Sequence, residues 1–103
     1  MSRIDTIRSI LDQDPGNSRV RYMLAMELTN SGDLAGAAEV FGEVIERDAN
    51  YNAAYFHGGQ TLEKLGRIDA ARDLYRRGID AASANGDSHT RSELQGALDM
   101  LGG

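Results

Sequence analysis

One pattern is written twice between Asn17 and Ser83, with a period of 34, and it limits the fold more than any other feature of the chain. Ala25 and Gly59 match, as do Leu28 and Leu62, Gly32 and Gly66, Ala37 and Ala71, Phe41 and Tyr75, and Ile45 and Ile79, each pair exactly one period apart. A fixed period of that length, in residues spaced as on amphipathic helices, means stacked helical hairpins. One such hairpin cannot bury its apolar face alone, so the copies must stack on neighbours.

The register continues on both sides. Ile7, Leu11 and Pro15 lie one period before Phe41, Ile45 and Ala49. Ile4, Ile7, Ile10 and Leu11 recur at helical spacing, which predicts a short helix over about 3–13, stopped by Asp14-Pro15-Gly16-Asn17. Toward the other end, Leu94, Leu98 and Gly102 lie two periods plus two positions beyond Leu24, Leu28 and Gly32. Two residues are therefore inserted in the preceding helix or turn. The helices expected are 3–13, 18–31, 34–47, 52–65, one beginning near 68, and 88–101, with Ser83 to Asp87 as a turn. Asp87 or Ser88 is the expected cap of the last helix, with Thr90 and Glu93 as a competing capping box. The chain then reads as one all-α domain over 1–103: a half-unit 3–16, units 17–50 and 51–85, and a terminal capping helix 88–101.

Composition agrees and excludes several classes. Sixteen acidic against eleven basic residues give a formal net charge of −5, which argues against nucleic acid or an anionic membrane as partner. No cysteine is present, so there is neither a disulfide framework nor a thiolate site. Met1 to Asp14 alternates charge with isolated apolar residues, unlike a signal peptide or a membrane span, and a cytoplasmic location is the expectation. The twelve glycines need positional reasons, because each inside a helix costs about 1 kcal/mol relative to alanine.

With Leu24-Ala25, Leu28, Gly32-Asp33-Leu34, Ala37 and Phe41 in one unit, and Tyr55, Gly59, Leu62, Gly66, Ile68, Ala71 and Tyr75 in the next, the chain resembles the tetratricopeptide repeat (TPR) family over nearly its whole length. The resemblance implies a right-handed α-α superhelix of about six helices with no β-sheet; a plain helical bundle is the alternative. Ala25, Gly59, Ala37 and Ala71 would sit where helices cross closely, and Phe41 and Tyr75 would fill the junctions between units. Several positions depart from the family pattern. Arg21 replaces the large apolar residue that Tyr55 provides in the second unit, Gly58 replaces the leucine seen at Leu24, and Ala49 and Ser83 stand where the proline of Pro15 would recur. Weaker local packing or looser turns are expected there.

The resemblance also implies where function would lie. In this family the first helices of successive units line a concave groove that holds a peptide or helix of another protein. Carried over, the groove would present Arg19, Tyr22, Met26, Thr29 and Asn30, then Ala53, Phe56, Gln60, Glu63 and Lys64, then His89, Ser92, Gly96, Asp99 and Met100. Tyr22 and Phe56 are the expected anchors, since aromatics give large contact area at small entropic cost. A subclass of the family grips the C-terminal carboxylates of chaperones with lysine and asparagine, but Tyr22, Met26 and His57 occupy those places, so a chaperone carboxylate clamp is not expected. The partner expected is a protein or peptide recognised mainly through apolar side chains. A homodimer, or continuation into a longer array through Ile4, Ile7 and Leu11, is the alternative.

Other patterns carry no chemistry. His57 and His89 have no metal-ligand spacing, and Gly58-Gly59 lies mid-helix without the strand or Lys-Ser/Thr of a phosphate loop. Glu39, Glu43, Glu46 and Asp48 read as a solvated acidic face. No triad or carboxylate pair can be placed on one pocket, so neither catalysis nor a cofactor or metal is expected.

Overall fold

A computed structural model describes residues 1–102; Gly103, the end of the expected domain, lies outside the described residues. Six helices follow in order: α1 (Arg3–Gln13), α2 (Ser18–Asn30), α3 (Leu34–Arg47), α4 (Asn52–Lys64), α5 (Ile68–Asn85) and α6 (Ser88–Met100), with no strand among the described residues. Helices adjacent in sequence pack on one another, α2 with α3 and α4 with α5 as the hairpins, and α4 also touches α6. The result is a right-handed α-α superhelix in two layers, α2, α4 and α6 on one side and α1, α3 and α5 on the other.

The turns repeat as faithfully as the helices. Asn17 and Tyr51 donate backbone N–H bonds of 3.0 Å to the carbonyls of Asp14 and Asp48, so the turn after α1 is the turn after α3. Gly32, Gly66 and Gly86 all have positive φ, and the residue after each (Asp33, Arg67, Asp87) donates 2.9 Å to the carbonyl five positions back. Only glycine adopts that left-handed conformation without a Cβ penalty, which is why these helices stop where they do.

The expected turn at Ser83 to Asp87 is wrong for its first three residues. α5 continues through Asn85, 18 residues against 14 in α3, and only Gly86 and Asp87 connect it to α6. The helix gains four residues and the connection loses two, which accounts for the two-residue slip. Asp87 caps α6 by accepting 3.1 Å from the Thr90 amide, so the competing box at Thr90 is not used. Asn52, at the start of α4, exchanges side-chain amide bonds of 2.8 and 3.0 Å with Asn85 and also donates 3.1 Å to Asp87. These bonds tie the shortened connection to the preceding hairpin.

The core is one continuous cluster running from Ile7 to Leu98. Ala25, Ala37 and Ala71 are fully buried at the helix crossings, as expected, and a Cβ built on Gly59 would overlap the Tyr75 ring. Gly58 and Gly78 have the same cause: a Cβ would meet Leu74 and Phe41 at the first, and Tyr55 and Leu94 at the second. Along α3, Val40 is buried with Ala37, Phe41, Val44 and Ile45, while Leu34 and Ala38 are half-buried.

Arg21 does not weaken the packing as expected. It is only 6% exposed and donates 2.7 Å to the Pro15 carbonyl. Tyr55, one period later, donates 2.7 Å from its hydroxyl to the carbonyl of Ala49, the counterpart of Pro15. Two unlike side chains, both buried, therefore satisfy the same backbone acceptor. Their partners exchange in step: Arg21 Nε lies 3.6 Å from Glu43, and Arg77, at the matching position, sits 6.0 Å over the Tyr55 ring.

The face of α1 also differs from expectation. Ile7 is buried and Ile4 and Leu11 are half-buried, whereas Ile10 is 49% exposed. Val44, its counterpart in α3, is fully buried.

Candidate functional site: an aromatic cluster across the first helices

On the side formed by α2, α4 and α6, three aromatic rings meet around one imidazole. His57 on α4 lies edge-on to Tyr22 of α2 at 6.0 Å and to Phe56 at 5.3 Å, and stacks on Phe41 at 6.5 Å between ring centroids. Tyr22 also packs on Phe41 at 5.9 Å and on Tyr51 at 5.0 Å. Tyr22, Tyr51, Phe56 and His57 are each half-buried, so the cluster is rooted in the core through Phe41 and presents its upper edges to solvent.

Local sequence explains the placement. Tyr51 stands in the N-cap position of α4, where the matching Asn17 caps α2 by accepting from the Val20 amide. Tyr51 makes no side-chain cap bond, and its ring instead covers Tyr22. The second unit thus gives up a cap, usually worth about 1 kcal/mol, for an aromatic contact between units.

The electrostatics follow from burial. Desolvation raises the Tyr22 hydroxyl above its ordinary value, with the neighbouring Tyr51 adding to it. Burial likewise raises Tyr51, opposed by Arg19 and assisted by Asp48. The His57 imidazole is held below 6.5, first by desolvation, with Glu93 of α6 opposing and Lys64 assisting. At neutral pH the cluster is uncharged, and its rings offer faces and edges for apolar or cationic groups.

The remaining expected groove residues are only partly gathered here. Arg19 lies beside Tyr51 and is exposed. Met26 lines a separate cleft of about 160 Å³ with Arg3, Ile7, Met23 and Glu27, between α1 and α2. The Thr29 hydroxyl donates 2.9 Å to the Ala25 carbonyl within its own helix, and Asn30 is exposed at the helix end. Gln60, Glu63 and Lys64 line a shallow cavity of about 250 Å³. Glu63 accepts a hydrogen bond from the Tyr75 hydroxyl, which burial and this carboxylate together push far above its usual range, so Glu63 serves the core as well as the surface. His89 is exposed, 3.6 Å from Glu93 on its own helix. Ala53 is half-buried, whereas Ser92, Gly96, Asp99 and Met100 are exposed. Tyr51 and the central position of His57 lie outside the expected set. The one legible signal for them is an aromatic residue at position 51, where the first unit has a capping residue.

On the opposite side, two clefts flank α3. One, of about 450 Å³, has Leu11, Leu24, Leu28 and Val40 at its floor and Arg8, Asp12, Glu39 and Glu43 at its rim. The other, of about 470 Å³, is lined by Ile45, Leu74 and Gly42 with Glu39, Glu43, Glu46 and Arg77. Among the described residues no group of histidine and carboxylate side chains could hold a metal ion, and no helix is long and apolar enough to cross a membrane.

Comparison with known proteins agrees with this architecture. A family model described as tetratricopeptide repeat matches residues 22–86. A TPR repeat-containing protein of Pseudomonas aeruginosa is 26% identical over 98 residues, covering 95% of this chain and 93% of that protein. An uncharacterized protein of Methanocaldococcus jannaschii is 32% identical over 69 residues, covering 67% of this chain and 80% of its own length. The solution structure of a tetratricopeptide repeat domain protein from Salinibacter ruber superposes with a TM-score of 0.80 at 36% identity, covering 85% of this chain and 89% of that one. A protein from Bordetella parapertussis shares the fold, with a TM-score of 0.83 at 24% identity over 99% of this chain and 89% of its own. The chain belongs to the tetratricopeptide repeat family, whose members generally serve protein–protein interaction and are typically non-catalytic scaffolds.

Proposed function

We propose that this chain binds a peptide or helical segment of another protein in the groove formed by α2, α4 and α6, without catalysis. The observation that carries this is the aromatic cluster of Tyr22, Tyr51, Phe56 and His57, half-buried across two repeat units. Rings fixed from below by Phe41 lose little freedom on binding, and an apolar side chain laid across them is desolvated on contact. Arg19 and Lys64 at the edges, with Glu63, Asp99 and His89, form a rim of mixed charge that sets orientation more than affinity. A chaperone carboxylate clamp stays outside this proposal, because Tyr22, Met26 and His57 stand where its lysine and asparagines would be.

The test is a peptide-display selection with the folded chain as bait, followed by titration of the selected peptides. Binding should weaken about tenfold or more in Phe56→Ala, the loss usual for an anchor residue, with the helical circular dichroism unchanged. Peptides that bind Phe56→Ala as tightly as the parent chain would overturn the groove.

Ile10 supports a second use. It is half-exposed at a position where Val44 is fully buried, so α1 offers an apolar face to another helix, either a second copy or a further repeat. Light scattering over a range of concentrations, with Ile10→Glu as the probe, separates the two: a dimer abolished by Ile10→Glu but not by Tyr22→Ala would make self-assembly the primary role. Ile7 is unsuitable for this test because it belongs to the core.

A further inference from the structure

We propose that the outer face around α3 is a second docking surface, separate from the aromatic groove, and that its occupant is a basic amphipathic helix of another protein. Glu39, Glu43 and Glu46 succeed one another at i+4 and i+3, forming one acidic ridge along the exposed side of α3. Like charges at these spacings repel and destabilise a helix. The repeat does not require them: the matching positions are Asp73, Arg77 and Asp80 in α5, where the sign alternates, and Asp5, Ser9 and Asp12 in α1.

The ridge has apolar ground on both sides. The clefts of about 450 and 470 Å³ share Glu39 and Glu43 at their rims, where Arg8 in the first and Arg77 in the second each add one cation against the acidic side chains, and both have aliphatic side chains at their floors. Glu43 is approached by Arg21 at 3.6 Å, while Glu39 and Glu46 have no ion-pair partner among the described residues. A helix laid beside α3 would place aliphatic side chains in a cleft and lysine or arginine against the ridge, relieving the repulsion that folding leaves there. An acidic or uncharged segment would fill the clefts and leave that repulsion in place, so charge complementarity selects the basic one.

The probe is a labelled amphipathic peptide of about 18 residues, long enough to hold a helix, with leucine on one face and lysine on the other. It should bind the parent chain, and Glu39→Gln/Glu46→Gln should weaken it about tenfold at low salt. Asp73→Asn/Asp80→Asn, which removes the same charge from the matching positions of α5, and Phe56→Ala should both leave it unchanged, with circular dichroism verifying each fold. Absence of binding to the parent chain would overturn the surface, as would equal loss in both double variants, which marks undirected charge attraction. Loss in Phe56→Ala, or equal binding of the same peptide with glutamate in place of lysine, would overturn it too.

Discussion

Gly59 and Arg21 mark two ways in which one residue can hold a repeat together. Gly59 is small because the Tyr75 ring occupies the space a Cβ would need. Gly59→Ala is therefore expected to lower the unfolding free energy by about 1 to 3 kcal/mol through overpacking, despite the better helix propensity of alanine, and a urea melt measures it. Arg21 looks out of place only when polarity is considered without its acceptor. Removing it takes a 2.7 Å charge-assisted bond from the Pro15 carbonyl and leaves only the 3.4 Å bond from Arg47, so Arg21→Ala should cost about 1 to 3 kcal/mol. Arg21→Tyr should recover part of that loss, since Tyr55 already performs the same bond in the second unit. Neither sign follows from composition; both follow from what lies within hydrogen-bond or van der Waals reach.

Between helices, His57 gives the aromatic cluster a dependence on pH. Its folded pKa lies below the unfolded value of 6.5, so the unfolded chain takes up the proton more readily. The contribution of the neutral ring to stability is complete above pH 6.5 and is lost as pH falls through the lower folded value. Thermal melts across that interval should show stability falling with acidification, and His57→Phe should flatten that part of the profile. The junction of α5 and α6 tests the shortened connection. Gly86 sits at φ +77°, and Gly86→Ala should cost about 1 kcal/mol or more because a Cβ is strained in the left-handed region. A smaller drop in urea midpoint would mean that the connection relaxes by unwinding the last turn of α5.

Across the molecule, 42 × 29 × 18 Å in extent, stability should pass from neighbour to neighbour. α6 covers the end of α5 with Leu94 and Leu98, both buried, and its next position after Leu94 is Gln95. In the shifted register of α6 that glutamine is the counterpart of Ala25, at the place where the earlier units admit the ring of Phe41 or Tyr75, and it is exposed and bonded to Asp99 at 3.0 Å. The α6 surface is accordingly polar where the other first helices are close-packed. A chain ending at Gly86 should lose amide-exchange protection first in α5 and least in α2 and α3, read by hydrogen exchange. Uniform loss through all helices would indicate a single cooperative unit instead.

The sequence by itself determined the period, the number of helices, the glycine stops and the small residues at the crossings, because each of these is a local demand repeated at a fixed spacing. Through the resemblance to TPR proteins it also placed Tyr22 and Phe56 on the first helices of successive units, α2 and α4. Only the tertiary structure decided that Arg21 is a core residue, that Ile10 and not Ile7 is the exposed part of α1, and that the two extra residues are the net of a longer α5 and a shorter connection. It alone brought His57 between Tyr22 and Phe56 and laid Tyr51 against Tyr22. These are matters of distance between elements far apart in the chain, and a spacing of residues along one helix does not encode which ring, carbonyl or carboxylate the next helix will bring to meet them.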